Sequence, residues 1–243
     1  NTGALMAMGK FMLKTLAGID RPAMTSLLPT SRGESIMLDL GANVECDEKN
    51  LVQFAIMGAA FARTVLGLKN PSVALLNVGV EELKGNEVIK NADRILRNTN
   101  LPMNYVGFTE GHGLANGDVD VVVTDGFTGN VALKTAEGTA RMIAGMLKDA
   151  LEDSLLSKIG YLFARPALLG LKNHLDPNNH NGAVFMGLNG LVIKSHGSAS
   201  AAGFASAIGV AMDMAINDLS GRITRDLTYF ESHMKEDIED KDI

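Results

Sequence analysis

The sequence predicts an α/β layer fold built on a mostly parallel sheet, and three observations predict it. Apolar strand-like runs alternate with helical stretches along the chain. Several of those runs are apolar at nearly every position, as strands covered on both faces are. Much of the glycine, 26 of 243 residues, falls in turns between apolar runs. The alternation implies right-handed crossovers, with ligands bound outside the carboxyl ends of the strands.

In order, the pattern predicts a helix over residues 5–16 and a strand over 36–40 (IMLDL). A helix over 51–66, a strand over 73–78 (VALLNV) and a helix over 87–98 follow. Strands over 105–108 and 119–124 (VDVVVT) lead to a helix over 132–151, a strand over 191–194 and a helix over 201–219. No internal repeat interrupts this order.

Two segments depart from it. Residues 154–174 carry Lys158, Arg165 and Lys172 and no acid. Leu155, Ile159, Leu162 and Phe163 fall at helical spacing on one stripe. Pro166 is expected to end or kink that helix, and Leu168, Leu169 and Leu171 continue the apolar character. The expectation is one α/β domain over 1–230 with a protruding basic, apolar helical segment over 152–175. That segment would touch an anionic membrane surface through Leu155, Ile159, Leu162, Phe163, Leu168 and Leu169, its cations favouring anionic headgroups. The competing reading is a helical hairpin buried in a dimer interface. Residues 231–243 hold six acids and two lysines and are expected to be a solvated, frayed tail.

Composition excludes several classes. The formal net charge of −6 argues against nucleic acid, whose binders carry a basic field. The single Cys46 rules out an internal disulfide and a multi-cysteine zinc site, and fits a reducing cytosol. The five histidines show no metal-ligand spacing, and no metal is expected. No uninterrupted apolar run reaches the roughly 20 residues that span a bilayer, and no secretory leader is visible. The chain starts at Asn1 without Met, and an upstream part is expected to be missing.

Five turns have the composition of an anion cradle. Asp125, Gly126, Gly129 and Asn130 follow the strand VDVVVT and open a helix carrying Lys134. The glycines allow close backbone approach, and the free amides of a helix start favour an anion. The alternative is a tight turn with Asn130 as helix cap. Lys194, Ser195, His196, Gly197 and Ser198 follow the strand GLVIK and lead into a small-residue helix. A cation, hydroxyls and an imidazole there suit a phosphate or a thioester carbonyl; the alternative is a Ser-capped helix with surface Lys and His. Lys84, Gly85 and Asn86 precede Glu87, where capping and ligand contact are both open. Asp39 and Asn43 either orient a substrate or fix their loop by hydrogen bonds to backbone. Asn1, Thr2 and Gly3 open the first helix. Cys46 lies among acids, which disfavour a thiolate.

The stretches NTGALMA, LDLGANVEC, LVQFAIMG, LLNVGVEELKGNE, DVVVTDGFTGNVALKTAEG and NGLVIKSHGSA, taken in order, resemble the phosphate acyltransferase family PlsX of bacterial phospholipid synthesis. The resemblance spans nearly the whole chain. It departs at Glu110-Gly111-His112-Gly113, where the family has Glu-Gly-Arg-Asp, and family members carry a longer, Gly-rich N-terminal segment. The resemblance implies a Rossmann-like α/β/α sandwich related to phosphotransacetylase and isocitrate dehydrogenase. It implies transfer of an acyl group from acyl-[acyl-carrier-protein] to inorganic phosphate, without metal or organic cofactor. It further implies a cytoplasmic homodimer, peripherally membrane-associated, that supplies a glycerol-3-phosphate acyltransferase.

The residues fit that chemistry. Phosphate is itself a competent nucleophile, so positioning and oxyanion stabilisation carry the catalysis, with Lys194 and His196 as the catalytic candidates. The expected phosphate site lies among Asn130, Lys194 and Ser198. The expected dimer interface draws on the helix over 132–151 and the stretch after it. The rivals are a coenzyme A-dependent phosphate acetyl- or butyryltransferase, an NAD-dependent decarboxylating dehydrogenase needing converging carboxylates such as Asp39 and Asp125, and a non-catalytic lipid-binding scaffold.

Overall fold

The structure is a computed structural model and describes residues 2–175, 182–197 and 199–239. Its strands are β1 (Ala23–Thr30), β2 (Gly33–Leu38), β3 (Ser72–Leu76), β4 (Asn104–Thr109), β5 (Val121–Val123), β6 (Ala183–Met186) and β7 (Ile193–Lys194). They form one sheet in the order β4-β3-β5-β2-β1-β6-β7. Strands β4, β3, β5 and β2 are mutually parallel; β1 and β7 are each antiparallel to their neighbours, so β6 again runs with β2. The predicted mostly parallel α/β sheet is therefore present.

The helices are α1 (Thr2–Leu13), α2 (Glu48–Val65), α3 (Glu87–Arg97), α4 (Gly111–Asn116), α5 (Gly126–Glu152), α6 (Leu155–Leu175), α7 (Ala201–Ile216) and α8 (Leu219–Glu239). Strand alternation assigns them to two layers. Ile36, Leu38, Val73, Leu75, Val121 and Val123 face a core closed by α2, α3, Met214 of α7, and Ile223 and Leu227 of α8. Met37, Ala74, Val122 and Phe185 face the other side, against Met6 of α1, Leu114 of α4, and Ala132 and Leu133 of α5. Helix α2 is buried along nearly its whole length because the sheet lies beneath it and α3, α7 and α8 pack around it. A reciprocal capping box between Asp47 and Asn50 starts it, which fixes the exit from β2.

Four features differ from the sequence reading. Strand β1 (AMTSLLPT) mixes hydroxyls, a proline and apolar residues and shows no apolar run; its partners on both sides make it a strand. Strand β6 has four residues, too few for periodicity to register. The acidic stretch from Glu231 is helical as far as Glu239, because it extends α8, whose Leu219, Ile223 and Leu227 are buried at four-residue intervals. Pro166 does not end its helix: α6 continues through it to Leu175, the proline forgoing only the amide that would have bonded one turn back.

Candidate active site

Chain order and strand order create a crevice. β5 is inserted between β3 and β2, and α5, which follows β5, leaves on the opposite face from α2 and α3, which follow β2 and β3. Neighbouring strands whose helices depart on opposite faces leave a gap at their carboxyl ends, where open α/β sheets bind ligands.

The loop after β2 forms one wall. Asp39 is fully buried, and its carboxylate accepts five hydrogen bonds. Oδ1 takes the amides of Met24 (3.0 Å), Gly41 (3.1 Å) and Ala42 (2.9 Å). Oδ2 takes the Asn43 amide (2.7 Å) and Asn43 Nδ2 (2.8 Å). Burial pushes the Asp39 carboxyl above its ordinary value, while these donors pull it back. Asn43 Nδ2 also donates to the Pro22 carbonyl at 2.8 Å. Both side chains therefore fix the loop.

The start of α5 is seated on this loop. The Gly126 amide donates to the Asn43 carbonyl at 2.7 Å. A Cβ on Gly126 would overlap that carbonyl, and one on Gly129 would overlap the Asp39 carbonyl oxygen. The close approach these glycines permit is to the chain's own backbone at Asn43 and Asp39. The cap of α5 is Asp125, not Asn130: its carboxylate accepts from Thr128 N at 2.8 Å and Thr128 Oγ1 at 2.7 Å. Asn130 is exposed beside Gly41. Lys134 points along the helix to Glu137 at 2.9 Å.

The start of α3 forms the facing wall. Asn86 caps it, accepting from Ile89 N at 2.9 Å. Beneath it, Asn77 donates through Nδ2 to the Lys84 carbonyl at 3.1 Å. A Cβ on Gly85 would overlap Asn77 Oδ1, so glycine lets this turn close over the asparagine. That Oδ1 is buried and makes no hydrogen bond among the described residues. Lys84 is exposed.

Between these walls lies a cleft of about 360 Å³, lined by Val44, Glu45, Cys46, Leu51, Val88, Ile89 and Phe127 together with Asn86, Asp125 and Thr128. Its charged lining residues, Glu45 and Asp125, are both acidic. Burial first, then the field of Asp39 and later Asp125, pushes the Cys46 thiol up to about 12, so it is protonated and unreactive at neutral pH.

The structure brings Asp39, Asn43, Asn86, Asp125, Gly126, Gly129 and Asn130 to one end of the sheet, but not Lys194 or His196. β1 and β6 separate β2 from β7, and three strand spacings amount to about 14 Å. Ile193 stands level with Leu38 through Val184 and Thr25, and β7 then runs toward the amino end of β2. Lys194 and Ser195 are half-buried there, His196 and Gly197 exposed. The chain next enters α7, capped by Ser200 Oγ, which accepts from Gly203 N at 3.2 Å. Ser198 and Asn1 lie outside the described residues. Thr2 and Gly3 open α1, which packs through Gly9 on Leu188 and Val192 of the β6–β7 hairpin. At the departing segment, His112 Nδ1 lies 3.6 Å from Glu110, and a Cβ on Gly113 would overlap Thr109 Oγ1. In α6, Leu155, Ile159, Leu162, Phe163 and Leu169 are exposed and Leu168 half-buried.

Sequence reasoning missed Asn77, Val44, Val88, Ile89 and Phe127. Each sits at most a few residues from a recognised turn, but apolar residues there read as ordinary helix and loop positions.

The profile of the fatty acid synthesis protein family matches residues 1–222. A phosphate acyltransferase of Paramagnetospirillum magneticum is 54% identical over 226 residues, 93% of this chain and 64% of its own length. One from Rhodospirillum centenum is 56% identical over 235 residues, 97% of this chain and 66% of its own. The chain thus spans slightly less than two thirds of these relatives. Among solved structures, a phosphotransacetylase from Streptococcus pyogenes superposes with a TM-score of 0.58 at 17% identity, covering 89% of this chain and 60% of that one. The EutD phosphotransacetylase from Staphylococcus aureus gives 0.50 at 19%, covering 84% and 58%. These likenesses establish the Rossmann-like α/β/α fold, and with the family match over almost its entire length the chain belongs to the fatty acid synthesis protein family, that of the phosphate acyltransferases.

Proposed function

We propose that the chain transfers an acyl group from acyl-[acyl-carrier-protein] to inorganic phosphate, as a step of phospholipid synthesis. The observation that carries this reading is 54–56% identity, over more than nine tenths of the chain, to proteins named phosphate acyltransferase. A phosphate oxygen attacks the thioester carbonyl, a tetrahedral oxyanion forms, and the C–S bond breaks. The departing thiolate takes up a proton, leaving acyl phosphate and free carrier protein. No protein nucleophile is needed, which agrees with the protonated state of Cys46. Phosphate binds at the turn of Lys194, Ser195, His196 and Gly197 ahead of α7. Support comes from its two basic side chains and from a following helix with a neutral cap and no acid in its first turn. Lys194 holds the anion, and His196 binds it or handles its proton. The test is mass spectrometry of products from a long-chain acyl-carrier-protein thioester plus phosphate. Accumulation of acyl phosphate is expected; unreacted thioester, or product only with coenzyme A thioesters, refutes the reading.

The protein further works as a cytoplasmic homodimer at a membrane surface, passing acyl phosphate to a glycerol-3-phosphate acyltransferase. Exposed apolar residues support the assembly: Met142, Ile143 and Met146 on α5, and Phe204, Ile208 and Met212 in a stripe on α7. No helix among the described residues is long and apolar enough to cross a membrane, but α6 offers an exposed apolar surface beside Lys158 and Arg165. Wild-type protein is expected to co-sediment with anionic vesicles at low salt, and a Leu168→Glu, Leu169→Glu variant that stays dimeric is not. Equal sedimentation of the two removes α6 as the contact.

A further inference from the structure

We infer that the cleft between the starts of α3 and α5 is the subsite for the acyl chain of the thioester substrate, an inference that rests on the proposed acyl transfer. The lining decides between a polar anion and an aliphatic chain. Leu51 is buried at the floor, Val88 and Ile89 are half-buried on the α3 side, and Val44 and Phe127 stand exposed at the mouth. These five apolar side chains make up half of the ten lining residues, from the buried Leu51 to the exposed rim.

The polar lining points the same way. Asn86 and Asp125 are already engaged as caps by the amides of Ile89 and Thr128. Glu45 and Asp125 are the charged residues of the lining, and the Arg21 guanidinium lies beside it, donating to the Glu45 carbonyl at 3.2 Å. A phosphate would meet two carboxylates here, whereas a neutral hydrocarbon meets no such penalty and covers Phe127 and Val44. The volume, about 360 Å³, falls at the small end of ligand pockets, in the range of a single small-molecule arm.

β7 lies three strand spacings, or about 14 Å, to the side of β2, and the cleft lies beyond the carboxyl end of β2, away from the direction in which β7 runs. An extended chain gains about 1.2 Å per bond, given that three backbone bonds span roughly 3.3–3.6 Å. A chain with its thioester carbonyl near Lys194 and its methyl end in the cleft is therefore longer than about a dozen bonds.

The test is photocrosslinking of the wild-type protein with a fatty acyl-pantetheine thioester bearing a terminal diazirine, followed by peptide mapping. Crosslinks on residues 44–51, 86–89 or 125–128 are expected. Competition by unlabelled acyl-carrier-protein thioester should remove them. Phe127→Glu should lower labelling at least tenfold while the circular dichroism spectrum stays that of the folded protein; if that variant unfolds, the wild-type map decides alone. Labelling confined to other peptides, such as α6 or α7, overturns the subsite even if acyl phosphate is formed. Labelling in the cleft without acyl phosphate formation keeps the subsite and refutes the transfer reaction. Absence of any crosslink overturns the subsite whether or not product forms.

Discussion

Two glycines of one helix are expected to respond with opposite signs to the same substitution. Gly129 and Gly138 both lie within α5. Replacing glycine by alanine in a helix ordinarily gains about 0.5–1 kcal/mol, because less backbone entropy is lost on folding. At Gly138 nothing lies within 4 Å of an added Cβ, so that gain should appear undiminished. At Gly129 the added methyl overlaps the Asp39 carbonyl oxygen and stands 3.0 Å from Thr124 Cγ2. The obstacle cannot yield easily. Five hydrogen bonds to the Asp39 carboxylate hold that loop, and the Gly126 amide bonds to it. Overpacking against a fixed neighbour costs about 1–3 kcal/mol or more. Helix propensity cancels between the two variants, so their difference isolates the overlap at about 1–3 kcal/mol. For a chain of this size that is about 2–12 °C in melting temperature, at roughly 2–4 °C per kcal/mol. Thermal melts followed by far-ultraviolet circular dichroism and urea titrations of both variants measure it. Equal stabilisation by the two substitutions would show that α5 is not seated on the Asp39–Asn43 loop, and the account of the crevice wall would fall with it.

Three further outcomes are expected. Arg63 of α2 and Asp226 of α8 form a largely buried ion pair, so Arg63→Leu should cost about 3–5 kcal/mol at neutral pH by stranding the carboxylate. Burial already raises the Asp226 carboxyl against the opposing pull of Arg63. In the variant it rises further, and the stability of its protonated form, fully present below the unfolded value of about 3.9, is lost as pH rises through the folded value. The deficit in urea titrations should therefore be larger at pH 7 than near pH 4, and a pH-independent deficit contradicts the argument. With its thiol pushed up to about 12, native Cys46 has about one thiolate in ten thousand at pH 8, against about a quarter for an ordinary cysteine. Ellman's reagent should modify it at least a hundredfold more slowly than in denaturant, and comparable rates sink the assignment. Lys194→Ala should raise the phosphate KM about ten- to a hundredfold, the worth of a hydrogen bond to a charged group. Its melting temperature should move by no more than about 2 °C, since parallel loss of stability and phosphate use would make Lys194 structural.

The fold was legible where burial and periodicity coincide. Strands β2, β3 and β5 are apolar runs because helices cover both their faces, and α2 and α3 carry strong caps at Asp47 and Asn86. Legibility failed where a strand is defined by its neighbours. β1 has an antiparallel partner on each side yet carries Thr25, Ser26 and Pro29, and no single-chain pattern reports pairing of that kind. The end of α8 was hidden differently: acids suggested solvation, but a helix anchored by Leu219, Ile223 and Leu227 can carry an acid-rich last stretch. Pro166 shows a local rule outweighed by the helix on both sides of it.

The site was harder to read because its turns look alike in sequence. Each puts glycine next to polar residues ahead of a helix, and each was a fair anion cradle on that ground. The structure separates them by what their donors and caps already hold. At α5 the first free amides face Asp125, a cap that brings its own negative charge, and the two glycines serve contact with the Asp39–Asn43 loop. At α3 the cap is the neutral Asn86, and Glu81, Glu82 and Glu87 are mixed with Lys84 and Lys90, the latter paired with Glu87 at 2.6 Å. At α7 the cap is Ser200, neutral, with no acid in the first turn and with Lys194 and His196 upstream. Helix dipoles are similar at all three starts, so the discriminating quantity is the charge around them. That charge is negative at α5, mixed at α3 and positive at α7. The proposed placement of the anion at α7 and of the hydrocarbon chain between α3 and α5 follows this division of charge, which glycine spacing alone does not encode.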